Sequence, residues 1–430
     1  MEQYNCIDTK PLQPFCVQVP GSKSITNRAL LLGALANGTT TLQGVLLSDD
    51  SEVFMEALSS IGYDIHIDRS AKVVTIHGLD GQIPACGQER EVYVGSAGTA
   101  ARFLTAMLAL SGQSFHVTSS PQMQKRPMKP LLLALEMLGA HIRYDEQPYA
   151  FPFHITGCQE LSPAYVPLDI DASSQFLSAL LLCAVMRKNG LCIRLTGNRD
   201  ARAYVKISTR MMQDFGVSVV QLDHNTYKVT GGQHYIAQKY QIEPDISAAC
   251  YFYALAAIKG TTGKVLHVHP DATQGDIQFL KVLQDMGCTM HDDVDGIALT
   301  GPSKSLKGIT VDMSDFSDQT MTLAAIAPFA DSETKITGVA HIRRQESDRI
   351  HGIVTELTRM GIKVTEQEDG VMISPGHPNA ITVHTYQDHR MAMAFAITGC
   401  RTDGMVIDDP MCCQKTFKEF FEVLDSIIRR

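Results

Sequence analysis

The sequence predicts an α/β protein made of two similar three-repeat domains, and three observations carry this. One pattern recurs along the 430 residues: an Ala/Leu-rich helical stretch, a break, a β-rich run, a second amphipathic stretch closed by glycine, and another β-rich run. The closing glycines Gly62, Gly139, Gly216, Gly287 and Gly361 stand 77, 77, 71 and 74 residues apart. Six openings then give units of about 72 residues, which is the length of a supersecondary α/β module and too long for a thin solenoid turn.

The elements follow in order. First helices are expected in ALLLGALA (29–36), LTAMLALSG (104–112), FLSALLLCAVM (176–186), LAAIKG (255–260), LAAIAPF (323–329) and FAITG (395–399). Second helices are expected in ALSSIG, ALEMLG, MMQDFG, VLQDMG and ELTRMG, each stopped by its glycine because left-handed backbone is cheap only there. YDIHI, AHIRY, VSVVQL, CTMH and IKVTE after those glycines read as strands, and a sixth amphipathic stretch covers 415–428. The break between the third and fourth units falls in GGQHYIAQKYQIEPD (231–245). This sets a first domain at 20–235 and a second made of 1–19 and 236–430, with strand 15–19 pairing into the later domain. A cleft between two such domains is a common place for a small ligand.

Composition narrows the function. An apolar share of 44% excludes bulk disorder, and the charge sum of 37 − 46 = −9 argues against a nucleic-acid partner. Eleven cysteines, an odd number without a C-x-x-C pair, point to reduced thiols in a cytoplasm, and away from a disulfide framework or a structural zinc site. No signal peptide is visible, and the longest apolar stretch, 176–186, is too short for a bilayer, so no membrane partner is expected. His267 and His269 stand i, i+2 in VLHVHP without a third ligand motif and read as strand residues.

Chemistry-bearing residues gather where helices begin. PGSKSITNR (20–28) puts Gly, small hydroxyls, Lys23 and Arg28 at a helix start, where free N–H groups and the helix dipole favour phosphate; the spacing is not that of a Walker loop. GSAGTAAR (95–102) opens a helix with Gly98 and carries Arg102 one turn in, and QKRPMKP (124–130) follows with Arg126. DASSQFL supplies Ser173, Ser174 and Gln175 at another helix entrance. The last third adds Asp315 and Asp318 in DFSDQTMT, then Arg343, Arg344, Glu346, Asp348 and Arg349 in RRQESDRI. It also has Asp388, His389 and Arg390 in YQDHRMAMAF, and Lys415 in CCQKTF at the head of the last helix. Taken singly, each is also what a capped helix with solvated charges looks like. Together they suit a phosphorylated, carboxylated substrate.

With these motifs in hand the chain resembles the EPSP synthases, a family of enolpyruvyl transferases. The likeness spans nearly the whole chain in family order: PGSKSITNRALLLGALA, GSAGTAARFL, the RPM loop, SSQFLSALL, PDISAACYF, DQTMT, ESDRI, DHRMAMAF and DPMCCQKTF. It implies two domains of three βαβαββ repeats with the active site in the inter-domain cleft. It also implies transfer of the enolpyruvyl group of phosphoenolpyruvate to the 5-hydroxyl of shikimate 3-phosphate, by addition and elimination through a tetrahedral intermediate. No metal, no cofactor and a monomer are implied. The resemblance sets Lys23, Gly98, Arg126, Gln175, Arg349, Arg390 and Lys415 around phosphoenolpyruvate. Lys23, Ser24, Arg28, Ser173, Ser174, Gln175, Tyr204, Asp318 and Gln345 are expected around shikimate 3-phosphate. Asp318 is the expected base at the hydroxyl and Glu346 the proton donor and acceptor at the methylene carbon, with Lys23 or His389 protonating the departing phosphate. Glyphosate is expected to compete with phosphoenolpyruvate.

The chain departs from the family pattern in three places. Gln345 stands where a cation is common, with Arg343 or Arg344 as compensation. Ala201 stands where Ser often precedes the Tyr204 motif, beside Arg202, and Ser96 stands where Asn is common before AGTA. Two other readings compete. One is the sister transferase acting on UDP-N-acetylglucosamine, which usually has a Cys or Asp in the loop before R-P; here that loop reads SSPQMQKRP. The other is an anion-binding paralogue without turnover.

Overall fold

A computed structural model of the chain describes residues 3–8, 11–158, 165–197 and 202–429. The closing glycines set its rhythm. Gly62, Gly139, Gly216, Gly287 and Gly361 all have positive φ, between 80° and 105°. Each helix end makes the same two turn-backs. At the first, Gly62 N–H donates to Ser59 O at 2.9 Å and Tyr63 N–H to Leu58 O at 3.1 Å. Gly361 and Ile362 repeat this on Thr358 and Leu357, and the other three glycines do likewise. The doubled bond satisfies carbonyls the helix leaves open and aims the chain into the next strand.

Six small sheets result among the described residues. In the repeat at 90–156, Arg90–Tyr93 pairs parallel with Ser114–Thr118, which pairs antiparallel with Phe153–Thr156, which in turn pairs antiparallel with His141–Tyr144. The order first-second-fourth-third recurs for Tyr165–Leu168, Gly190–Leu195, Val219–Asp223 and Thr226–Thr230, and for Thr310–Asp312, Thr334–Thr337, Val364–Gln367 and Gly370–Ile373. This is the βαβαββ unit. Two repeats take their first strand from a distant part of the chain. Ala36–Gln43 receives Tyr235–Ile236 and Lys239–Gln241, and Thr262–Leu266 receives Phe15–Val17, all in parallel. The sixth sheet pairs Thr382–Val383 parallel with Val406–Ile407 and adds Tyr4–Asn5 antiparallel.

The contacts divide the chain into Gly21–Ile242 and a unit of Met1–Pro20 with Glu243–Arg430. The chain leaves the first of these after Ile242, beyond the 235/236 boundary expected from the repeat, because Lys239–Gln241 still pairs with Thr41–Gln43. Each unit has its own apolar core. First helices are buried nearly all round: every residue of Gly98–Ala109 and of His389–Gly399 is buried, and all of Ile246–Lys259 but Ser247 and Lys259. Such a helix tolerates no loose polar ends. Asp245 caps Ile246–Lys259 by accepting from Ala248 N–H at 2.9 Å, and Gly260 closes it with φ +62°. Second helices such as Gln278–Asp285 bury one stripe only: Phe279, Leu280, Val282 and Leu283.

The eleven cysteines form no disulfide. Among the described residues no helix is long and apolar enough to cross a membrane. The strand reading of His267 and His269 is corrected. The strand stops at Leu266, His267 takes a left-handed φ of +62°, and His269 Nδ1 lies 2.9 Å from Asp292 Oδ1.

Candidate active site

The unit Gly21–Ile242 brings three helix beginnings together through buried polar bonds. Lys23–Leu35 starts at the PGSKS motif with Ser22 as its N-cap residue. Lys23 Nζ lies 3.4 Å from Asp50 Oδ2, near the start of the helix Asp49–Ser60. Asn27 Nδ2 donates to Thr99 Oγ1 at 2.7 Å, which ties this helix to Gly98–Ala109. Arg102, 2% exposed, joins the third beginning: Nη1 donates to Ser173 Oγ at 3.2 Å and to Gln175 Oε1 at 2.5 Å, and Nη2 to Pro127 O at 2.9 Å. Its guanidinium lies over the Phe176 ring. One buried cation thus aligns the SSQ motif with the loop that carries Arg126. Arg126 Nη1 in turn donates to Ser96 O at 3.3 Å. The acceptor is a backbone oxygen, so Ser in place of Asn leaves this bond intact.

Gly98 has a steric reason to be glycine. A Cβ there would stand 2.7 Å from Arg126 Nη2 and 2.9 Å from Arg102 Nη1. Two guanidiniums approach the first turn of a helix whose amide end already favours anions. Arg28 is buried deeper than a free anion hook: Nε donates to Ser208 Oγ at 2.8 Å, Nη1 to Ser24 O at 2.9 Å and Nη2 to Ser178 Oγ at 3.4 Å. It joins the helices Lys23–Leu35, Gln175–Cys183 and Arg202–Asp214. Ser174 is buried at the N-cap of Gln175–Cys183. Ala201 and the side chains of Arg202 and Tyr204 lie outside the described residues.

In the other unit the charges centre on Arg349, the first residue of the helix Arg349–Arg359 and 1% exposed. Nε lies 2.8 Å from Asp388 Oδ2, Nη2 2.9 Å from Glu346 Oε2, and Nη1 3.2 Å from Asp318 Oδ1 while also donating to Gln345 Oε1. Burial works against this charge, but Asp388, Glu346 and Asp318 outweigh it and the Arg349 pKa is raised. Asp318 bridges onward to Arg390 Nη2 at 2.7 Å. Fully buried Asp388 caps the helix His389–Gly399 by accepting from Arg390 N–H at 3.0 Å, and accepts from Ser347 Oγ at 3.0 Å.

Gln345 is therefore already an acceptor for Arg349. Arg343 is turned away to Glu366 at 2.7 Å and to Gln367 O at 2.9 Å, while Arg344 is exposed. His389 is buried beside Asp388, with Nδ1 4.0 Å from Asp388 Oδ1. The placement of Lys415 is corrected. It ends the 3₁₀ turn Pro410–Lys415, and the last helix begins only at Phe420.

Sequence reasoning gave two groups no role at the site. Arg102 carried a signal, a lone cation inside GTAARFLTAMLA, where only a buried role suits it. Asp276 carried none. It is buried beneath Asp318, accepting from Gln319 Nε2 at 3.1 Å and Ser247 Oγ at 2.9 Å. Burial, and then the charge of Asp318, push its pKa up to about 7.

Two units of small α/β sheets, with guanidiniums, an ammonium and carboxylates at their helix starts, define a class of α/β protein suited to small polyanions. The sequence pattern of the EPSP synthase (3-phosphoshikimate 1-carboxyvinyltransferase) family matches residues 11–424. The 3-phosphoshikimate 1-carboxyvinyltransferase of Trichormus variabilis is 44% identical over 405 residues, 94% of each chain. That of Nostoc punctiforme is 42% identical over the same shares. A solved EPSP synthase from Acinetobacter baumannii superposes with a TM-score of 0.83 at 28% identity, covering 99% of this chain and 98% of that one. The chain belongs to the EPSP synthase family. Its activity is the enolpyruvyl transfer of the shikimate pathway, and the UDP-N-acetylglucosamine reading is not favoured.

Proposed function

We propose that the chain acts on one pair of substrates, phosphoenolpyruvate and shikimate 3-phosphate, through the charged residues at its helix beginnings. The observation that carries the reading is Asp318 held between the guanidiniums of Arg349 and Arg390 at 3.2 and 2.7 Å. Two guanidiniums fix the direction of the carboxylate, which a base for a hydroxyl proton needs. Asp318 takes the proton of the 5-hydroxyl as its oxygen attacks C2 of phosphoenolpyruvate. Glu346 delivers a proton to the methylene carbon, which becomes a methyl group in the tetrahedral intermediate. In the second step Glu346 takes a proton back from that methyl group, the double bond re-forms, and phosphate leaves. Lys23 or His389 supplies the proton to that phosphate.

Lys23, Gly98, Arg126, Gln175, Arg349, Arg390 and Lys415 hold phosphoenolpyruvate. Lys23, Ser24, Arg28, Ser173, Ser174, Gln175, Tyr204, Asp318 and Gln345 hold shikimate 3-phosphate. Support comes from the anion preference of helix beginnings and from the cations gathered at Gly98 and Asp318. The chain works in the cytoplasm as a monomer. The experiment is phosphate release from phosphoenolpyruvate, with shikimate 3-phosphate or UDP-N-acetylglucosamine as acceptor. Release with shikimate 3-phosphate alone, lost in Asp318→Asn, is expected. Release that survives in Asp318→Asn overturns the assignment of the base.

A further inference from the structure

One ladder rung of the sheet containing Arg90–Tyr93 carries four polar residues in a row. Glu91 pairs with His116, His116 with His154, and His154 with Arg143. Strand alternation turns Val92, Phe115, Val117, Phe153 and Ile155 into the core, where the helix Gly98–Ala109 packs, so the rung lies on the opposite, outer face. The His116 and His154 rings stack with centroids 4.2 Å apart and planes 13° from parallel. Asp145, just past the strand His141–Tyr144, receives both. Its Oδ2 lies 2.9 Å from His116 Nε2 and its Oδ1 3.3 Å from His154 Nε2.

The outer ring nitrogens are held as well. His116 Nδ1 lies 2.8 and 2.9 Å from the two Glu91 oxygens, and His154 Nδ1 lies 2.9 Å from Glu89 Oε1.

We propose that His116 Nε2, His154 Nε2 and one Asp145 oxygen form a site for a divalent transition metal of the zinc, cobalt or nickel class. One potential ligand atom from each of the three residues lies within 4.8 Å of the others. A tetrahedral ion at about 2.0–2.1 Å from nitrogen asks for ligand atoms roughly 3.3 Å apart, so the stacked rings must tilt towards each other until their Nε2 lone pairs converge on the ion. Two imidazoles and a carboxylate suit such ions over calcium or magnesium. Glu91 and Glu89 supply what a metal-binding histidine needs at its other nitrogen, a carboxylate that accepts Nδ1–H and leaves the Nε2 lone pair for the ion.

Charge agrees. Asp145, Glu89 and Glu91 bring three negative charges, and Arg143 Nη1, 3.6 Å from Asp145 Oδ1, offsets one. A divalent ion balances the remaining two. The side chains of His116, His154 and Asp145 are 20–24% exposed, enough for the ion to enter and keep a water as fourth ligand. The ion binds the Nε2 lone pairs, so any proton held there passes to the buffer. The ion would clamp Ser114–Thr118, Phe153–Thr156 and the turn after Tyr144.

The test is cobalt(II) titration of the metal-stripped full chain, read by visible absorption and by melting temperature. One equivalent is expected, with a tetrahedral d–d band, no thiolate charge-transfer band, and a raised melting temperature. His154→Ala should weaken binding on the order of a hundredfold, and Glu91→Gln, which removes no ligand, about tenfold or more. Glu91 is exposed and outside the core, so Glu91→Gln still decides the matter if His154→Ala fails to fold. No stoichiometric binding overturns the site. So does a thiolate band, or equal affinity in wild type and Glu91→Gln.

Discussion

Gly98→Ala probes the tightest point of the proposed phosphoenolpyruvate site. The new Cβ would stand 2.7 Å from Arg126 Nη2 and 2.9 Å from both Arg126 Cζ and Arg102 Nη1. Unstrained contacts begin near 3.4 Å, so a guanidinium must retreat by roughly 0.7 Å. Arg102 is the less free to move, being tied to Ser173, Gln175 and Pro127. Arg126, whose Nη1 bond to Ser96 O is a long 3.3 Å, gives way. The helix itself does not suffer, since Gly98 avoids left-handed backbone and alanine is the better helix former. The cost falls on the bound anion. A hydrogen bond to a charged group is worth about 1.5–3 kcal/mol, and losing most of one raises KM for phosphoenolpyruvate about 10- to 100-fold.

The assay for this variant is steady-state phosphate release, titrating phosphoenolpyruvate at saturating shikimate 3-phosphate, with a melting curve as fold control. Glyphosate should compete with phosphoenolpyruvate in the wild type and inhibit Gly98→Ala more weakly. An unchanged KM and unchanged inhibition, with the fold intact, would refute the placing of phosphoenolpyruvate against Gly98.

Asp318→Asn should lower kcat by about 10²–10⁴-fold; single-turnover product formation measures this, and a loss below tenfold removes Asp318 as the base. Arg102→Lys keeps the charge but not the fork that reaches Ser173, Gln175 and Pro127. It should cost about 1–3 kcal/mol in urea unfolding and raise KM for both substrates; unchanged KM values would leave Arg102 a purely structural residue. Asp276→Asn tests the buried carboxyl. Its folded value of about 7 lies above the unfolded value near 3.9, so the folded state binds the proton more tightly. Its contribution to stability is therefore fully present below about pH 4, falls as pH rises from 4 to 7, and is level above. Three pH units at about 1.4 kcal/mol each bound the loss at about 4 kcal/mol. The variant should gain on the wild type across that window in urea unfolding, and a constant difference from pH 4 to 8 would refute the buried titration.

The repeat, the helix stops and the helix beginnings were legible in the sequence because each rests on local physics. Gly62 and its four counterparts close their helices through bonds that span five residues, and only glycine takes the required φ at little cost. DHRM opens its helix for a reason contained within one turn, the Asp388 cap on Arg390 N–H. Most of what lay between distant segments was not legible. Tyr235–Ile236 and Lys239–Gln241 return to the sheet of Ala36–Gln43 because that repeat lacks its own first strand, a need visible only once the sheet exists. Arg102 stood in a motif, but its partners at Pro127, Ser173 and Gln175 are 25 to 73 residues away. Asp276 became a titrating group solely by being buried next to Asp318. The His116–His154 rung depends on strand register, which pairing sets and spacing does not reveal. The sequence by itself determined which residues can end a helix, hold an anion or carry a proton. Tertiary structure alone decided which of them meet and how far each is removed from water, since burial and long-range pairing are properties of the folded whole.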